Sequence, residues 1–402
     1  MTFQFKNSAI STRVKAITLV SLSLPLAVVS VLSYSLLFDS WGWSRVPVMN
    51  PRFGDLRLVT SAATCIQEDN WSLLGPTCDP FGRRFNYLPI WAESFAFLGL
   101  GESDTVAVGL VFGFVVIAVL VIPLIMLIRK GASLLDISLA SLAVLSPPVA
   151  LQLERGNTEA VILFLAVIAA LLVPRFPQRA AGFLGLATGL KFIPIFTASV
   201  LLRRSSLLGS FSAFMLAFGA VVVLNAGDVL YIIEAQEPPG EYRFGPLLLI
   251  YHFVPVLLNF PRLWVLAAGV SLTLIPALLF WFVARREVRT IAEAIGNTTT
   301  AGSLALVGGL VFMGTYFSGS RYDHSQIFLV VTLSALVFVV KRIATKLWFF
   351  GFGLLSLWGA FSINPESVIG DIATSVTASM IIPVIVQNRI DALRDLVGVR
   401  TG

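Results

Sequence analysis

Charge is what this sequence has least of. Only 12% of its 402 residues are Asp, Glu, Lys or Arg, against about 25% in a soluble domain. Histidine and cysteine occur twice each, too few to recommend a structural zinc site and far short of a disulfide-dense secreted module. There is no Walker loop, dinucleotide fingerprint, HExxH or CxxC pair, so the usual nucleotide, metal and thiol-redox chemistries lack their residues. Neither a metal nor a cofactor is expected. What is there is apolar: 57% hydrophobic residues and a mean hydropathy of +0.88. Such a chain is an all-α polytopic membrane protein surrounded by membrane lipids, because helices pair their own backbone groups where no water can. The net charge of +6 does not make a nucleic-acid partner, since most basic residues lie in short runs between apolar segments, as topology signals do.

A helix crosses the hydrocarbon with about 20 apolar residues. Eleven apolar runs are candidates: 16–38, 105–128, 134–150, 158–173, 180–202, 207–224, 263–284, 301–317, 325–340, 347–363 and 369–386. The first follows Lys6, Arg13 and Lys15, has no small-residue cleavage site and reads as an anchor. With the N-terminus cytoplasmic, 18 basic and 5 acidic residues face inward, leaving 10 basic and 17 acidic elsewhere. That is the asymmetry the positive-inside rule describes.

The asymmetry holds only if 180–202 fails to cross, because Arg179 precedes it and Arg203 follows it. This run contains Gly182, Gly185, Gly189, Lys191 and Pro194. A break at Lys191-Phe192-Ile193-Pro194 is expected, giving two half-helices that meet inside the membrane. Irregular backbone survives there only when buried in protein or lining a cavity. The expected fold is one integral membrane domain over 1–402, with 10–11 transmembrane helices, one of them broken or re-entrant, and long outer loops. The expected setting is a bacterial inner (plasma) membrane, with any active site on the periplasmic face.

Two outer loops are long, 39–104 and 226–262, whereas the inner links are mostly short. Function in such proteins concentrates in extended loops. Within the first, residues 54–62 predict a short amphipathic helix lying on the membrane surface, with Asp55 turned to water or to a membrane cavity; residues 87–98 predict a second. Arg83-Arg84-Phe85-Asn86-Tyr87 lies between them. Cys65 and Cys78 share this loop, and in an oxidising exterior an even pair predicts a disulfide. A loop of that size gains about 3 kcal/mol from closure.

Chemistry must come from polar residues of the outer face, because no inner loop is long enough to build a nucleotide-sugar site. The candidates are Asp55 with Arg57 nearby, Glu154-Arg155-Gly156-Asn157, Lys191, Arg243 with His252, and Arg321-Tyr322-Asp323-His324. Ionisable groups at membrane depth are functional candidates by default. Plainer roles compete. Lys191 could snorkel or neutralise Asp136; Asp323 and its neighbours could cap a helix; Glu154 and Arg155 could be a local ion pair; Asp55 could be an ordinary loop carboxylate. The Gly185-x-x-x-Gly189 spacing points to helix packing.

Arg155-Gly156-Asn157 before a span is followed by Ala181-Gly182-x-x-Gly185-Leu186-Ala187-x-x-Leu190-Lys191-x-x-Pro194. Together with Tyr322-Asp323-His324 ahead of Ile327-Phe328-Leu329 and with Asp55 in the first outer loop, this pattern resembles the GT-C glycosyltransferases. More narrowly it is similar to glycosyltransferase family 87, the polyprenol-phosphate-mannose-dependent mannosyltransferases and their relatives. The resemblance implies a polyprenyl-phosphate-linked sugar donor and a glycolipid or glycan acceptor. It implies Asp55 as the base, with His324 able to share that role or to hold phosphate. Lys191, Arg243 and Arg321 are then donor-phosphate ligands, and Arg57, Glu154, Arg155, Asn157, Asp323 and His252 support them.

Two other classes compete. A transporter or lipid flippase also places charges near the midplane, but it would favour inverted repeats, and none is visible. A polysaccharide polymerase or ligase using a diphosphate-linked donor would share the long outer loops.

Overall fold

The computed structural model describes residues 48–68, 78–83, 85–201, 207–225, 227, 243–244, 262–295, 299–317, 321–362 and 368–397. The run 16–38, His252 and most of the second long loop lie outside the described residues. The chain is an all-α polytopic membrane protein. Its helices are α1 Gly54–Gln67, α2 Pro89–Phe97, α3 Thr105–Arg129, α4 Leu134–Val144, α5 Pro147–Arg155, α6 Glu159–Leu172, α7 Pro177–Lys191 and α8 Leu207–Leu224. They continue with α9 Arg262–Val283, α10 Arg285–Ala294, α11 Thr300–Phe317, α12 Ile327–Val339, α13 Ile343–Ser362 and α14 Val368–Val397.

Apolar length sorts these helices. Among the described residues five stretches are long and apolar enough to cross alone: Glu102–Arg129, Leu134–Arg155, Leu207–Leu224, Thr300–Phe317 and Ile369–Val397. A sixth, Ala267–Val283, turns by 96° into Arg285–Ala294. The runs at 158–173, 325–340 and 347–363 form shorter apolar helices, Glu159–Leu172, Ile327–Val339 and Ile343–Gly359. Helices α11 and α12 are buried along nearly their whole length and form the centre of the bundle. Helices α8 and α9 instead expose Leu216, Val223, Leu279 and Phe282, as lipid-facing helices do. Helix α10 carries exposed Arg285, Arg286 and Arg289 opposite buried Val288 and Ile291, the two-faced pattern of a helix lying in an interface.

The break in 180–202 falls where the sequence predicts it. Helix α7 ends at Lys191, Phe192 takes a left-handed conformation at φ 55°, and a 3-10 helix runs from Ile193 to Leu201. Proline at 194 cannot donate to an α-helical ladder, which favours ending the helix just before it. The direction of the chain beyond the break follows from the packing of α7 on α8. A Cβ at Gly185 would stand 2.3 Å from the Phe214 carbonyl oxygen, one at Gly189 2.7 Å from Val221 Cβ, and one at Gly209 2.6 Å from Gln178 Nε2. Residues 178, 185 and 189 thus lie beside 209, 214 and 221, so the two helices are parallel neighbours. The chain between them must return to the end at which α7 began. The 3-10 segment Ile193–Leu201 begins that return, and near its end the Ser199 carbonyl accepts a 2.8 Å hydrogen bond from Arg389. The segment is thus broken at Lys191, and its packing favours a re-entrant pair over a single crossing.

Residues that the charge bias groups on one face also meet one another. Lys346 Nζ reaches Asp136 Oδ1 at 2.6 Å, Arg342 pairs with Glu287, and Asn388 donates to the Ala292 carbonyl at 2.6 Å.

Helix α1 corrects an expectation. It is amphipathic but does not lie on the surface, because Leu56, Leu58, Val59, Thr60, Ala62 and Ala63 are all buried. It packs against α2, α3 and α5, with Thr60 and Thr105 hydroxyls joined at 2.7 Å. Its apolar face is covered by protein, not by lipid head groups. Cys65 in its last turn is disulfide-bonded to Cys78, as expected.

Candidate active site

The site is assembled at helix ends. Helix α5 stops because Gly156 turns left-handed at φ 61°, a conformation that costs glycine little. A Cβ there would stand 3.1 Å from the Phe53 ring and 3.2 Å from Leu56 Cβ, so glycine also admits the close approach of α1. Gln152 donates 2.8 Å to the Asn157 carbonyl and holds the turn. Asn157 is thereby fixed between two helices, 4% exposed.

Asn157 is the hub. Its Nδ2 donates to Asp55 Oδ2 at 3.0 Å and to the Tyr87 hydroxyl at 2.9 Å. Its Oδ1 accepts from Lys191 Nζ at 3.3 Å and from the Glu159 backbone N–H at 3.0 Å. Lys191 Nζ in turn lies 2.6 Å from Glu159 Oε1, which also accepts the Ser325 hydroxyl. Asp55 therefore faces inward, and its side chain is 16% exposed. On its other oxygen, Asp55 Oδ1 lies 3.2 Å from Arg83 Nη1.

Arg83 grips two carboxylates. Its Nε and Nη2 donate to Asp79 at 2.9 and 3.1 Å, its Nη2 also reaches the Gly54 carbonyl, and its guanidinium stacks over Phe81. Burial works to lower its pKa, but the Asp79 hydrogen bond and the charges of Asp55 and Asp79 outweigh that and hold it above its ordinary value. The site thus carries a run of alternating charge: Asp79, Arg83, Asp55, then through Asn157 to Lys191 and Glu159.

The second long loop arrives by its backbone. Arg243–Phe244 pairs antiparallel with Arg321–Tyr322, placing Arg243 opposite Tyr322 and Phe244 opposite Arg321. A 3-10 turn over Asp323–Gln326 follows and packs on α5. Helix α2 seats the ensemble from the side: Ile90 N–H donates to Asn225 Oδ1 at 3.1 Å and Trp91 Nε1 to the Leu190 carbonyl at 3.4 Å.

Asp55, Asn157 and Lys191 are brought together, and Arg243, Arg321, Asp323 and His324 enter the same neighbourhood by backbone and chain position. Arg57 points elsewhere, to Glu102 at 3.2 Å and the Arg52 carbonyl. Glu154 and Arg155 form their local ion pair at 2.8 Å, with Glu154 also accepting the Met49 N–H. Asp136 is not the partner of Lys191; Lys346 takes it. Glu159, Arg83, Asp79, Tyr87 and Ser325 carry the site and did not stand out in the sequence. Glu159 follows Asn157-Thr158 at a helix start, where an acid is ordinary.

No curated protein and no solved structure matches the chain. Residues 85–236 match the model of glycosyltransferase family 87, a segment that contains Tyr87, Asn157, Glu159 and Lys191 and leaves out Asp55 and Arg83. That match, together with the all-α polytopic architecture above, supports assignment to the GT-C-type membrane glycosyltransferases, with family 87 as what residues 85–236 are similar to.

Proposed function

We propose that this glycosyltransferase takes a hexosyl unit, mannosyl included, or a pentosyl unit from a polyprenyl-phosphate donor. It passes the sugar to a lipid or glycan acceptor at the outer face of a bacterial inner membrane. The observation that carries the reading is the single hydrogen-bonded run from Asp55 through Asn157 to Lys191. It puts a partly exposed carboxylate and a cation on either side of one fixed amide.

In the reaction the acceptor hydroxyl attacks the anomeric carbon. The bond from that carbon to the phosphate oxygen breaks, and polyprenyl phosphate leaves with the electron pair. Asp55 takes the hydroxyl proton; a placed base of this kind contributes roughly 10²–10⁴-fold. His324 stands in the chain segment that could share this work. Charge growing on the departing phosphate needs preorganised cations. Lys191 is already engaged with Glu159, so Arg243 and Arg321, joined at backbone level, supply the phosphate contacts that suit a planar guanidinium. Asn157, Glu159 and Ser325 hold Lys191 in place.

The test uses membranes of cells making the protein, where donor and acceptor pools are present. Asp55→Asn should remain folded, since an amide oxygen can still meet Arg83, and should lose sugar transfer into extractable glycolipid or glycan. Wild-type turnover in that variant removes Asp55 from the mechanism. Supplying synthetic polyprenyl-phosphate mannose, its pentose counterpart and a diphosphate-linked sugar separates the donor classes. Use of the diphosphate donor alone would favour the polymerase or ligase reading.

A further inference from the structure

We propose that Arg83, braced by Asp79, is the positioning residue that aims the Asp55 carboxylate and favours its ionised form, and that the Cys65–Cys78 disulfide keeps this brace in reach. The inference rests on the reading of Asp55 as the base. Asp55 is held from two sides by groups of different kind. Asn157 contributes a neutral amide to one oxygen, while Arg83 sets a full positive charge 3.2 Å from the other. Only the second can change the proton affinity of the carboxylate strongly, because a cation in contact favours the ionised form.

Arg83 comes from a loop, and loops do not hold a long side chain by themselves. Three features fix it here. Asp79, 1% exposed at its side chain, takes Nε and Nη2 together, and a two-pronged grip of this kind sets orientation as well as distance. The Arg83 backbone N–H also donates to Asp79 at 2.9 Å. Cys78 is the residue immediately before Asp79, and its disulfide joins that point to the last turn of α1, the helix whose first turn carries Asp55. The disulfide therefore ties the Asp79 end of the Asp79–Arg83–Asp55 bridge to the helix that carries its Asp55 end.

The packed elements bring further ionisable or polar groups to the same site: Asp79 and Tyr87 beside Arg83 from the first loop, the Lys191–Glu159 pair from α7 and α6, and the Glu154–Arg155 pair from α5. Arg83 is a cation in direct contact with Asp55, 3.2 Å away. Because it stays protonated across the working range, the acidic limb of activity reports Asp55 and not Arg83.

The experiment measures initial rates of sugar transfer against pH in native membranes, for the full chain. Asp55→Asn is measured alongside. In Arg83→Gln the loss of positive charge raises the proton affinity of Asp55. Transfer at neutral pH should fall because the carboxylate loses its aim, and the acidic limb should move up by about one pH unit, so that the loss deepens as the pH falls. Arg83→Lys restores charge without the grip; it should return the limb to its wild-type position while the rate stays reduced. A folded Arg83→Gln whose limb does not move overturns the proposal. Should that variant fail to accumulate, Asp79→Asn decides. It breaks the two-pronged grip on Arg83, so the limb should move up as in Arg83→Gln, and an unmoved or lowered limb overturns the proposal. Complete reduction with dithiothreitol should shift the limb in the direction of Arg83→Gln; no shift removes the disulfide from the proposal. Full activity in Asp55→Asn instead sinks the base assignment itself, whereas an inactive Asp55→Asn with an unmoved Arg83→Gln limb sinks only the clamp.

Discussion

At the scale of single residues, the pair Lys191–Glu159 shows why a charge in an apolar run is informative and also incomplete. Lysine at position 191 stands out because a lone ammonium at membrane depth is expensive. Its partner does not stand out, because an acid in the first turn of a helix needs no special reason. With the Glu159 side chain 1% exposed and 2.6 Å from Lys191, removing one member strands the other. Lys191→Ala is therefore expected to destabilise the protein in detergent by about 3 kcal/mol, the low end for broken buried pairs because Lys191 is 16% exposed. Lys191→Ala combined with Glu159→Gln should regain much of that stability without regaining sugar transfer. Thermal unfolding and transfer assays on the same preparations check both halves; recovered transfer in the double variant would make the lysine merely structural.

At the scale of elements, two glycines decide geometry. Gly156 ends α5 and lets α1 approach, so Gly156→Ala meets both a left-handed backbone and the Phe53 ring at 3.1 Å. A cost of about 1–3 kcal/mol follows for such a strained position, and because Asn157 is the next residue, transfer should drop more than stability does. Gly185 lies in the middle of the contact between α7 and α8, where a Cβ would come within 2.3 Å of backbone. Gly185→Val should lower the unfolding temperature markedly, as overpacking of about 1–3 kcal/mol does. Equal losses of stability at both positions with transfer intact in Gly156→Ala would show that the turn does not aim Asn157. The spacing Gly185-x-x-x-Gly189 is legible as packing from sequence. The function of Gly156 is not, since only the fold brings Phe53 against it.

For the whole molecule, the parallel packing of α7 on α8 requires the chain to turn back after Lys191. Single cysteines introduced at 178 and at 205 should then react with a membrane-impermeant thiol reagent from the same side of the membrane, while one introduced at 227 reacts from the other. Opposite labelling of the first two would make 180–202 a full crossing. The same re-entrant turn delivers Lys191 to the helix ends where Asn157 waits, so topology and site are one feature seen at two scales.

Composition, hydropathy and the placement of basic residues determine by themselves that this is a helical membrane protein and where the 180–202 run breaks. These properties are summed over many residues, and the lipid enforces them on each segment alone. Which side chains meet is different. Arg83 is 28 residues from the Asp55 it holds, Asn157 is 102 from the same carboxylate, and Ser325 is 166 from Glu159. Only the folded bundle sets those neighbours. Helix α1 was written as an amphipathic stripe that lipid or protein could cover equally well, and tertiary packing chose protein, because burying that face against α2, α3 and α5 is what turns Asp55 inward.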